Sequence, residues 1–169
     1  AQLLQKGGVY AGMVRRGEVV RRSEASPGDW LYVTGELGNS LASGHHLDFS
    51  PRLAEGRFLA ERHYASAMLD VSDGLLLDAR RLAESSGVRL LVDPAKLPLR
   101  QGADCNGALT DGEDYELLFT ISPERAGELE QNWNFGQLTR IGVVESGSPD
   151  VTDPDGNPLS VNGKYGYEH

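Results

Sequence analysis

Cysteine is nearly absent: Cys105 stands alone in 169 residues. That excludes an intramolecular disulfide and any cysteine-cluster metal site, and it fits a reducing compartment. Long apolar runs are missing too, since none approaches the roughly 20 residues that span a bilayer. No leader segment is visible, so the cytoplasm is the expected location and no membrane partner is expected. An overall basic surface is lacking. The net charge is −9, and phosphate-backbone binding needs the opposite sign, so nucleic acid is not an expected partner. The cations that exist crowd the start of the chain, where Lys6, Arg15, Arg16, Arg21 and Arg22 face Glu18 alone. Such a cluster suits a solvated arm or a small polyphosphate. Hydrophobic content of 39% and charged content of 24% match a globular chain long enough for one packed core.

What is present is organised around residues 67–77, AMLDVSDGLLL. The run at 67–71 predicts a short buried strand, and Leu75, Ala79, Leu82, Ala83 and Ser86 share one face of a following helix. At the junction, Asp70 and Asp73 can converge on one site, with Ser72 between them and free backbone N–H groups nearby. Two carboxylates at such a corner suit a hard divalent cation and the phosphate oxygens it bridges. The alternative is structural: Ser72 or Asp73 caps the helix and Asp70 is a polar strand end.

Turn chemistry at 26–29 leads into an aromatic and β-branched strand at 30–35. The glycines of 35–40 make either a tight strand-to-helix turn or a backbone cradle for phosphate, and a helix at 41–47 follows. Adjacent His45 and His46 point apart on a helix and make a poor metal site. Pro51 opens a helix running to about Ala65, with Leu53, Ala54, Phe58 and Ala65 as expected buried positions. After the central strand and helix, Gly87 is the expected helix stop and 88–92 a further strand. Thr110, Asp111, Gly112, Glu113 and Asp114 precede a strand at 115–121. They read as a hairpin turn at Asp111–Gly112, or as acids at a strand end free to act on a ligand. A helix from Pro123, a strand at 138–144 and a closing hairpin around Asp155–Gly156 complete the pattern, after a possible short strand at 9–14. The expected fold is α/β or α+β, a mixed sheet with helices mainly on one face.

Four stretches carry a resemblance: PGDWLYVTGELGNS at 27–40, LDVSDGL at 69–75, GEDYELLFT at 112–120 and the terminal GYEH. Together they resemble the carboxy-terminal domain of the bacterial thiamine-monophosphate kinases, in the aminoimidazole-ribonucleotide synthetase superfamily. The resemblance implies an α/β domain of that superfamily's type at 27–169. Residues 1–26 would then be an arm or linker from an amino-terminal ATP-binding domain that this sequence does not include. It implies transfer of phosphate from ATP to thiamine monophosphate with Mg2+, in a full-length protein that forms a homodimer through its other domain. By resemblance Asp70 and Asp73 match magnesium positions, Ser72 and Arg22 nucleotide contacts, and Glu113 and Tyr167 substrate contacts. The sequence departs from the family at Ser23-Glu24-Ala25, where a glycine is usual before the alanine, and after Ser40. Two other readings stand beside this one: a related enzyme with another small substrate, and a non-catalytic binding or assembly domain.

Overall fold

The structure is a computed structural model that describes residues 4–6, 9–11, 19–161 and 163. In chain order the strands are β1 (Leu4–Lys6), β2 (Val9–Ala11), β3 (Trp30–Thr34), β4 (Ala67–Val71), β5 (Arg89–Val92), β6 (Glu116–Ile121), β7 (Leu138–Glu145) and β8 (Asp150–Thr152). The helices are α1 (Ser40–Ser43), α2 (His45–Asp48), α3 (Leu53–Glu61), α4 (Leu75–Ser86), α5 (Cys105–Thr110) and α6 (Pro123–Asn132). β1 and β2 form their own antiparallel pair. The other six strands form one sheet in the order β4-β6-β3-β7-β5-β8, antiparallel except for the β5–β8 edge. The expected mixed sheet is therefore present. No helix among the described residues is long and apolar enough to cross a membrane.

Strand side chains alternate between faces, and this alternation makes two cores. On one face Leu31, Val33, Ala67, Val71, Leu90, Val92 and Leu118 meet Leu75, Leu76, Ala79, Leu82 and Ala83 of α4. Each fully buried leucine there contributes about 1.5–3 kcal/mol. α4 ends at Gly87, φ 69°, whose N–H donates to the Ala83 carbonyl, because a residue without Cβ enters the left-handed region at little cost. The other face carries a smaller cluster of Tyr32, Phe119 and Ile121 with Leu59 of α3 and Ala126 and Leu129 of α6. The larger core is thus the α4 face, and α3 and α6 add a second layer opposite it. β4 and β5 are joined by α4 but separated in the sheet by three strands, so α4 crosses the sheet instead of linking neighbours.

Three local expectations change. The helix expected at 41–47 is two four-residue helices, because Gly44 takes φ 79° and its N–H turns back to the Leu41 carbonyl. The face of α3 is rotated: Leu53 is 68% exposed while Glu55 and Leu59 are buried, and Phe58 and Ala65 are only partly covered. Arg52 sets that rotation by donating to both Glu55 and the buried Glu116. The Asp111–Gly112 hairpin does not form, since helix α5, not a strand, precedes it. The closing hairpin does form: the Leu159 N–H donates to the Val151 carbonyl across the Asp155–Gly156 turn. Of the strand at 9–14, residues 9–11 are extended and 12–14 lie outside the described residues.

Gly142 sits mid-strand in β7 opposite Leu31 and Val92. A Cβ there would run into the Leu91 carbonyl of the neighbouring strand, a backbone atom that cannot move without breaking the ladder. Gly142→Ala should therefore cost about 3 kcal/mol. Gly127→Ala in α6, where an added Cβ meets nothing, should be neutral or slightly stabilising. Urea unfolding midpoints of the two variants check this contrast, and equal midpoints would refute it.

Candidate functional site

The candidate site forms where β4 ends. Asp70 pairs across to Leu117 and is exposed, while Ser72 and Asp73 are partly covered. The chain then turns through Gly74, φ 109°, into α4. Neither Ser72 nor Asp73 caps the helix, because the N-cap position is Gly74 and no side chain bonds to it. The organising carboxylate is instead Asp78, only 2% exposed. It accepts the Ser72 and Asp73 N–H groups at 2.9 Å each and an Arg81 N–H at 2.7 Å. Burial pushes Asp78 above the usual carboxylate range, against those N–H groups and Arg81, which pull it down. Free backbone N–H groups are expected near this junction, and those of Ser72 and Asp73 are already used. Arg81 also donates to Asp73 at 2.5 Å.

A strap at 111–115 lies over this corner. The Glu113 N–H donates to the Ser72 carbonyl at 2.7 Å and the Tyr115 N–H to the Val71 carbonyl at 2.8 Å. Gly112 is close enough to the Ser72 carbonyl that a Cβ would approach it to 3.0 Å. Tyr115 stacks on Phe49 with ring centroids 4.2 Å apart. Its phenol is pushed up by burial and then by the charges of Glu113, Asp70 and Asp73. Three of the carboxylates singled out in the sequence thus act through their charge on one phenol.

On its other side the strap is bound to the 35–40 loop. Asp114 is fully buried, a correction to the expectation that it was free to meet a ligand. Its carboxylate accepts the Gly38 N–H at 2.9 and 3.1 Å, and Asp111 accepts the Asn39 N–H at 2.8 Å. The glycine-rich loop is accordingly a tight turn whose Gly38 and Asn39 N–H groups meet the protein's own carboxylates, while those of Gly35 and Leu37 meet backbone carbonyls.

Among the described residues no group of three or more His, Cys, Asp or Glu is placed to hold a metal ion. The donor set nevertheless fits a hard cation that takes a few carboxylates and completes its shell with water and phosphate. Arg22 is not brought to this corner. Its carbonyl accepts the Ser86 hydroxyl at 2.9 Å, at the far end of a 12-residue helix about 18 Å long. Tyr167 lies outside the described residues. The residues that sequence reasoning missed are Asp78, Arg81 and Arg100. The only signal for Asp78 was an acid in the first turn of a helix, where the dipole favours it.

No family model matches this chain. It is 34% identical over 191 residues to the thiamine-monophosphate kinase of Salmonella typhimurium, covering 94% of this chain and 57% of that protein. Over its own length the chain belongs to the thiamine-monophosphate kinase family. The crystal structure of the thiamine-monophosphate kinase from Stenotrophomonas maltophilia superposes with a TM-score of 0.73 at 29% identity, over 86% of this chain and 56% of that one. A structure of AaThiL complexed with AMPPCP and TMP gives 0.64 at 34% identity, over 84% and 52%. The chain thus spans about half the length of the family members it matches.

Proposed function

We propose that this chain is the carboxy-terminal half of a cytoplasmic kinase that transfers phosphate from ATP to thiamine monophosphate, yielding thiamine diphosphate. The observation that carries this reading is the match over 94% of the chain to a thiamine-monophosphate kinase. The likeness to a structure complexed with AMPPCP and TMP supports it. Residues 27–169 form the kinase half, and 1–26 are the arm that joins it to an amino-terminal ATP-binding domain. The full-length protein dimerises through that other domain.

Asp70 and Asp73 would hold Mg2+, with Ser72 beside the nucleotide. When bound, magnesium neutralises phosphate oxygens and aligns them for in-line transfer. The acceptor is a phosphate oxygen of the substrate, already ionised at neutral pH, so no residue here has to remove a proton. The bond from the γ-phosphorus to ADP breaks as the bond to that oxygen forms, and ADP leaves. Glu113 binds the cationic substrate, and Tyr167 contacts its ring system. Arg22 meets the nucleotide only through a surface other than the Asp70–Asp73 corner, given its position at the far end of α4.

The test is an assay of the full-length protein with ATP, Mg2+ and thiamine monophosphate. ADP and thiamine diphosphate should appear in equal amounts, and the isolated 169-residue chain should show no turnover. Turnover by the isolated chain would overturn the half-enzyme reading, and none by the full-length protein would move the non-catalytic binding domain to the front.

A further inference from the structure

Glu113 and Tyr115 both occupy the left-handed region, at φ 66° and φ 54°. For residues with a Cβ this costs about 1–3 kcal/mol each, so something must hold the strap there. Asp114, between them, is the only one of the three that turns into the protein. It is 0% exposed and accepts an Arg100 N–H at 3.0 Å as well as the Gly38 N–H. Arg100 also donates to the Gly38 carbonyl at 2.9 Å and the Glu36 carbonyl at 2.7 Å, tying the pair to the 35–40 loop. Gly38 is also packed against α5, where a Cβ would lie 2.7 Å from the Ala108 nitrogen. The Ser40 hydroxyl fixes the Glu113 carbonyl at 2.6 Å.

A buried ion pair is a weak source of stability, because desolvation offsets most of its Coulombic gain. Burial pushes Asp114 up to about 6, despite the Gly38 N–H and Arg100, which pull it down. The fold therefore keeps a carboxylate where a neutral group is easier to bury. Its geometric consequence is that, with Asp114 drawn inward, Glu113 and Tyr115 are held over the Asp70–Asp73 corner.

We infer that Asp114 and Arg100 are positioning residues that set Glu113 against this corner for the cationic substrate, and act on binding through Glu113. The inference rests on the proposed role of Glu113. The test is a double-mutant cycle in the full-length protein: Glu113→Gln, Asp114→Asn and both together, with kcat, KM for each substrate and thermal midpoint measured. Glu113→Gln and Asp114→Asn should each raise KM for thiamine monophosphate about 10-fold and leave KM for ATP within about 2-fold. In the Glu113→Gln background, Asp114→Asn should add less than about 2-fold, because both act through one contact. A full additive increase, or an unchanged KM in Asp114→Asn while Glu113→Gln is impaired, overturns the inference alone. An unchanged KM in Glu113→Gln overturns the Glu113 reading and the inference together. If Asp114→Asn does not fold, Arg100→Gln takes its place in the cycle; failure of both to fold means the pair holds the domain and overturns the inference.

Discussion

Replacing Glu116 by alanine is expected to cost about 3–5 kcal/mol, the penalty of leaving a buried charge without its partner. Glu116 is 1% exposed. Its carboxylate accepts two N–H groups of Arg52, each at 2.7 Å, and the Thr34 hydroxyl at 2.6 Å. Thr34 in turn accepts the Leu117 N–H at 2.8 Å, so the network ties the end of β3 to the start of β6. Gly35 belongs to the same arrangement, since a Cβ there would overlap the Glu116 carboxylate. Truncation leaves the Arg52 side chain, only 25% exposed, with Glu55 as its remaining carboxylate partner, and removes one of the two contacts that rotate α3. Replacing Glu116 and Arg52 together with apolar residues of similar volume should cost less, because of the three charges only Glu55 remains, without its Arg52 bond. Urea unfolding of the single and double variants measures the difference. A loss below about 1 kcal/mol in the single variant would mean that the pair behaves as a solvated surface bridge.

The second large effect is expected on turnover. In the full-length protein Asp70→Asn should lower kcat about 100-fold or more, the usual scale for removing one electrostatic stabiliser of a transferring group. Asp70 is exposed, so its thermal midpoint should move little, and a catalytic loss is separable from unfolding. Asp73→Asn should lose activity on the same scale. It also loses the ion pair with Arg81, so a modest fall in stability is expected with it. Activity within about 2-fold of the parent in Asp70→Asn would remove that residue from the site and take the magnesium reading of the corner with it.

The corner shows how far local pattern reaches. A strand at 67–71 followed by a helix with Leu75, Ala79, Leu82 and Ala83 on one face was legible, because the signal lies within neighbouring turns of chain. The use of the Ser72 and Asp73 N–H groups was not. Asp78 is five and six residues away and was one acid among many, until burial made its carboxylate the natural acceptor. The α3 face was misread for the same kind of reason: its rotation is set by Arg52 reaching Glu116, 64 residues further on.

The sequence by itself determined the elements, the acidic corner and the family resemblance, since periodicity, turn residues and motif spacing are properties of short segments. Tertiary structure decided the strand order, the inward turn of Asp114, the separation of Arg22 from the corner and the docking of the Glu113–Tyr115 backbone on the Val71 and Ser72 carbonyls. Those depend on which distant backbone groups meet which carboxylates. Gly38 and Asp114 are 76 residues apart, and only folding puts the N–H of one where the charge of the other must be buried.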